Sequence, residues 1–318
     1  MSIIFLFAIF LIFDPWSVLS FSNYSNEDPN LSAFTLNCND ISVTLEFDRM
    51  IDARTMNISA FQLQGVRNLG LNNSDSAFES YALRVDSYVD SLTNLKSQGN
   101  ETFTVQIFFD VNVYARLVMM QATGKSIMTS FVSLERGFVY SSNGYPSRPI
   151  LQKTAFRATS YVNDSAPPFI VKYGVNMNKA QITFLFSEPI DLFSLRLYGL
   201  AAQSRTNTLA SGSYSVFSSG NSSYIIVKSS NYNRNVTISM GSSTFNAITA
   251  NIGLWNELET TYLSAYYPFV ADVAGNIIST NNIDRVQALA ASSYVTDVTP
   301  PTLSHWDFDV DGIVLLYI

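Results

Sequence analysis

The chain has 318 residues, with 25 acidic against 18 basic side chains, one cysteine and one histidine. A net charge of −7, spread thinly and without a basic run, argues against a nucleic-acid partner. A single cysteine excludes an intrachain disulfide, and a single histidine leaves almost no material for Ser-His-Asp or Cys-His catalysis or for a zinc centre.

Taken in chain order, residues 3–13 form an apolar stretch ended by Asp14 and Pro15, with Val18-Leu19-Ser20 offering small residues for cleavage. That layout predicts a signal peptide over residues 1–20, too short for a membrane span. The acidic, Asn-rich residues 21–28 read as a mobile N-terminal segment. Eight Asn-x-Ser/Thr triplets fit a secretory route, and Asn57, Asn72, Asn100, Asn163, Asn221 and Asn235 are taken as the candidate glycosylation positions.

From Pro29 onward the chain repeats itself. Leu31, Phe34, Leu36, Cys38, Val43, Leu45, Phe47 and Ile51 return as Ile170, Tyr173, Val175, Met177, Ile182, Phe184, Phe186 and Ile190. The pattern starts a third time at Leu303, Trp306, Phe308 and Val310. Most matched blocks alternate apolar and polar residues, the period of a half-buried strand. The Asn37–Asp40 and Asn176–Lys179 stretches between the first two strands read as tight turns, with Asn and Asp supplying the left-handed backbone. Val113–Ala122 and Thr244–Gly253 are the one short helical stretch in each copy. Cys38 takes the place of Met177 and Val310, so it reads as a small buried hydrophobe.

Each copy closes on a shared phrase, Tyr161-Val162-Asn163-Asp164 and then Pro167-Pro168 against Tyr294-Val295-Thr296-Asp297 and then Pro300-Pro301. Proline pairs stiffen a linker and belong at sheet edges. The expected organisation is therefore one repeat over 29–165, a second over 166–299, and the start of a third, truncated, over 300–318. Seven or eight short strands per copy with little helix predict an all-β fold of two tandem antiparallel β-sandwich domains.

The Tyr294–Pro301 phrase, Phe308-Asp309-Val310-Asp311-Gly312, Phe184–Ile190 and Asp272-Val273-Ala274-Gly275-Asn276 resemble tandem Ig-like repeats of large secreted surface proteins, the bacterial S-layer type nearest among them. The resemblance covers about 290 residues. It implies Ig-like domains serving as stalks and adhesive arrays, and it brings no catalytic residues. The first copy departs from the pattern: Arg49 stands where the second has Glu188, and Ser141 where it has Asp272.

The chemistry that remains is acidic. Glu188 with Asp191, and Asp272 with Asp297, are the carboxylate pairs a glycosidase would need, but each lacks a counterpart in the first copy. Calcium at an interdomain joint is the sharper possibility, through Asp164, Asp297 and Asp191, because a hard cation takes six to eight oxygens; turn capping is the competing role. Tyr266-Tyr267 is a candidate aromatic platform for sugar or protein. The expected function is a secreted or cell-surface structural and adhesive array without catalysis and without a cofactor other than calcium. Its partners would be other extracellular proteins or glycans. The alternatives are the scaffold of a carbohydrate-binding or carbohydrate-active protein, and a receptor ectodomain.

Overall fold

A computed structural model describes residues 25–69, 80–82, 101–120, 122–209, 213–217, 224–266, 268–280, 283–300, 302, 305–308 and 314–317. The expected signal peptide, Asn72, Asn100, Asn221, Tyr267 and part of the third copy lie outside these residues.

The first unit is built from β1 (Leu31–Asn37), β2 (Ser42–Asp52), β3 (Phe61–Gln64), β4 (Ser80–Ala82), β5 (Glu101–Phe108), α1 (Val111–Met119), β6 (Phe131–Leu134), β7 (Tyr140–Ser141), β8 (Phe156–Arg157) and β9 (Ser160–Val162). The second contains β10 (Ile170–Asn176), β11 (Gln181–Phe186), β12 (Leu200–Gln203), β13 (Tyr214–Val216), β14 (Tyr224–Ser230), β15 (Asn235–Met240), α2 (Ser242–Thr249), β16 (Tyr262–Ala265), β17 (Leu289–Ala290) and β18 (Ser293–Val295). A hairpin of β19 (His305–Phe308) and β20 (Val314–Tyr317) follows.

Each unit has two sheets. In the first they run β5-β2-β1-β9 and β4-β3-β6-β8, with β7 added to the end of β2; in the second, β14-β15-β11-β10-β18 and β13-β12-β16-β17. The registers repeat as well. Leu36 faces Val43 as Val175 faces Ile182, and Leu63 faces Val132 as Ala202 faces Leu263. Both first strands carry a bulge at the same place, between Leu31 and Ala33 and between Ile170 and Lys172. One extra residue there reverses the side-chain parity, which is why odd-numbered Leu31 can share the core with Phe34 and Leu36.

Side chains from both sheets of a unit meet in one core. Leu36, Leu45 and Ile107 pack with Phe61, Leu63 and Val132 in the first unit. In the second, Phe184, Phe186 and Ile238 join Leu200, Leu263 and Trp255. The two cores have no residue in common, so each unit is a sandwich with its own apolar interior. Cys38 sits in the first core, 7% exposed, and burial raises its thiol pKa; Met177 takes its place in the second.

Three local expectations need amendment. The sheets are not wholly antiparallel: β9 runs parallel to β1, and β18 parallel to β10, in matching registers. The closing phrase of each copy is thus a three-residue edge strand before it becomes a linker. The hairpin turns also place their left-handed residue differently. Asn37 and Asn176 cap the turns through side-chain oxygens that accept the N–H groups of Asp40 and Lys179. The positive φ falls on Ile41 (55°) and Ala180 (50°), whose side chains pack against the core. The helices begin two residues earlier than the apolar pattern suggested, at Val111 and Ser242. In α1 this is where Asp110 caps the N–H of Asn112 at 2.8 Å.

Candidate functional site: the joint between the two units

The linker that leaves β9 is held by the unit it leaves. Asn39, in the β1–β2 turn, accepts hydrogen bonds from Ser165 N (3.2 Å) and Ser165 Oγ (3.0 Å). At the next joint Asn178 accepts from Val298 N (3.1 Å) and Thr299 Oγ1 (2.8 Å). The clasp is therefore part of the repeat.

The first joint carries further contacts. Helix α1 presents Tyr114, whose hydroxyl donates to Asp164 Oδ2 at 2.6 Å. From the second unit Asn276 donates through Nδ2 to the backbone oxygen of Asp164 at 3.2 Å. Arg234, also in the second unit, donates to Asn112 Oδ1 of α1 at 3.2 Å. A cleft of about 410 Å³ opens beside them, lined by Tyr114, Lys125, Tyr161 and Asp164 on one side and Val273 and Ala274 on the other.

Three carboxylates converge here: Asp164 from the linker, Glu188 just after β11, and Asp272 from the turn before Asn276, with oxygens all within 4.8 Å of one another. Ile190 bridges to Asp272 across the backbone, as Ile51 pairs with Ser141 in the first unit, and this brings Glu188 beside Asp272. The turn itself is common to both copies. Asp272 Oδ1 accepts Asn276 N at 2.8 Å, and Ser141 Oγ accepts Tyr145 N at 3.0 Å. Gly275 and Gly144 supply the positive φ these turns need.

Charges this close repel by roughly 3 kcal/mol per pair at an effective dielectric constant of about 20. Glu188 is 9% exposed, and burial, followed by the charges of Asp164 and Asp272, pushes its pKa up to about 8, with Arg234 pulling the other way. A hydrogen bond to Asp164 favours the protonated carboxyl. Asp272 is raised too, by burial, against the lowering effect of its bonds from Asn276. Burial and the bond to Asp164 hold the Tyr114 phenol far above its ordinary range. The arrangement thus demands a positive partner, either a proton or a cation, and its all-oxygen donors are of the kind that hold hard divalent ions.

Of the three residues named from sequence for calcium, only Asp164 is in this group. Asp191 accepts Phe193 N at 2.9 Å and caps a turn; Asp297 does the same for Thr299 N at 2.9 Å. The acids paired in the sequence are redistributed, Glu188 going with Asp272 rather than with Asp191. Their joint departure from Arg49 and Ser141 is the signal that could have linked them. Asn57 and Asn163 are exposed, Asn163 lining the cleft, while Asn235 is half-buried within β15. Tyr266 meets Tyr214 edge-on at 5.5 Å, and Arg285 lies 4.2 Å over the Tyr214 ring.

No family model matches the sequence, and no curated protein matches it. Among solved structures, a thermostable esterase aligns at 11% identity, covering 50% of this chain and 42% of that one, with a TM-score of 0.22. The N-terminal part of the bacterial S-layer protein SbsC aligns at 12% identity, covering 67% and 44%, with a TM-score of 0.23. A teleost fish polymeric Ig receptor ectodomain aligns at 11% identity over 86% and 99%, at 0.19. The chain spans less than half the length of the first two. These scores are too low for any of the likenesses to bear on function. The structure defines a class: an all-β chain of sandwich units in series. No described helix is long and apolar enough to cross a membrane.

Proposed function

We propose that the chain is an extracellular structural array, a spacer and interaction module of Ig-like units without catalysis, in which each joint holds the next sandwich at a set angle. The observation that carries this reading is the repeated clasp of Asn39 on Ser165 and Asn178 on Val298 and Thr299. A turn that serves only its own hairpin has no need to grip the outgoing linker. Proline pairs after each clasp limit the backbone further. The contacts of Tyr114, Asn112, Arg234 and Asn276 then fix the approach of the second unit. Partners would be extracellular proteins or glycans met along the exposed sheet faces.

The test is small-angle scattering of the intact chain beside an Asn39→Ala/Tyr114→Phe double variant. A fixed joint predicts one narrow size distribution for the wild type and a broader, more extended one for the variant. Equal breadth in both would refute the reading.

A further inference from the structure

We propose that the first joint is a binding site for a hard divalent cation of the calcium class, held by Asp164, Glu188 and Asp272. The proposal deepens the spacer reading by naming what locks its joint, and it rests on that joint being closed.

Proximity of acids would not be enough. The first further observation is Glu188 itself. It is about nine-tenths buried, its carboxylate points into the group, and among the described residues no donor outside the group hydrogen-bonds to it, its neighbour there being another acid, Asp164. A buried carboxylate with no donor from outside the group is costly to keep. Arg234, the nearest guanidinium, spends its hydrogen bond on Asn112 and forms no ion pair within 4.0 Å of Glu188.

The second observation comes from the repeat. The first unit folds the same turn and the same Ile51–Ser141 pairing with Arg49 and Ser141 at the positions of Glu188 and Asp272. The β architecture therefore has no need of these acids. They occur together where a linker acid, Asp164, is available to complete the set.

The chemistry selects the ion. With no histidine or cysteine among the donors, zinc is disfavoured. The oxygens come from three separate segments, which suits the adjustable shell of calcium better than the strict octahedron of magnesium. Several of them also accept protein hydrogen bonds, so water must complete the shell. The expected dissociation constant is about 10⁻⁴–10⁻³ M, the range of extracellular modules.

The experiment uses the intact chain stripped with chelator. Terbium is added and its emission followed on tyrosine excitation, since Tyr114 Oη lies 2.6 Å from Asp164. Calcium is then titrated as competitor, and the melting temperature is followed in parallel. The proposal predicts sensitised emission, displacement by millimolar calcium, and a melting temperature that rises with calcium. Glu188→Gln should weaken calcium binding at least tenfold while melting no lower than wild type in chelator, because a neutral amide replaces a carboxyl that the metal-free group already favours in its neutral form. Glu259→Gln, at an exposed acid elsewhere, should change nothing. Absent emission, a melting temperature insensitive to calcium, or calcium binding unaltered in Glu188→Gln would overturn the proposal. Magnesium displacing terbium as well as calcium does would overturn the assignment to calcium. Scattering with calcium and again in chelator separates the two readings: a wild type that is broad in both conditions defeats the spacer, whatever the binding data show.

Discussion

At the scale of single residues, Glu188 carries the clearest consequence. An ordinary glutamate releases its proton near 4.5, whereas the folded chain holds this one to about pH 8. Between those values the folded state binds more protons than the unfolded state, so this group favours folding at the low end and the benefit is lost as the pH climbs. Asp272 pulls in the same direction. With divalent ions chelated, urea denaturation should therefore give lower stability at about pH 8 than at about pH 5, and Glu188→Gln should flatten that slope. A wild-type slope unchanged by the substitution would show that Glu188 is not the group responsible. None of this was readable from spacing. Glu188 and Asp272 are far apart in sequence, and it is the long-range Ile190–Asp272 bridge that joins them.

At the scale of elements, the β10–β11 turn stores conformational strain at Ala180, whose φ of 50° and ψ of 46° are left-handed. An L-residue there costs about 1–2 kcal/mol relative to right-handed backbone, and glycine does not. Ala180→Gly should thus stabilise the second unit by about 0.5–1 kcal/mol after its greater unfolded-state entropy is subtracted, measured by urea denaturation. A destabilisation would mean that the methyl contact with the core outweighs the strain. The sequence marked this turn through Asn176 and Lys179, yet the left-handed position belongs to an apolar residue because packing decided it. Strands were legible wherever alternation ran for five or more residues, as in β1, β2, β11 and β15. The parallel edge strands β9 and β18 were not, since three residues next to a proline linker carry too little periodicity. The buried Gln64 and Gln203, which pin loop carbonyls in both units, also escaped notice, as a lone glutamine in a strand has no distinguishing pattern.

At the scale of the whole molecule, the repeat organises everything else. Equivalent strands hold equivalent neighbours, bulges fall at equivalent steps, and each unit closes its own core. The joint inherits the clasp from the repeat and adds the acids as a local elaboration of the second copy. If the units are truly built twice, damage to one core should stay within it. Leu45 and Phe184 occupy matching, fully buried positions, and truncating either to alanine should cost about 2–5 kcal/mol. Hydrogen exchange read by mass spectrometry on the intact chain is the most direct measurement. Leu45→Ala should accelerate exchange across residues 31–162 and leave 170–295 near wild type, with Phe184→Ala giving the mirror image. Acceleration spread evenly over both stretches by either substitution would contradict the account.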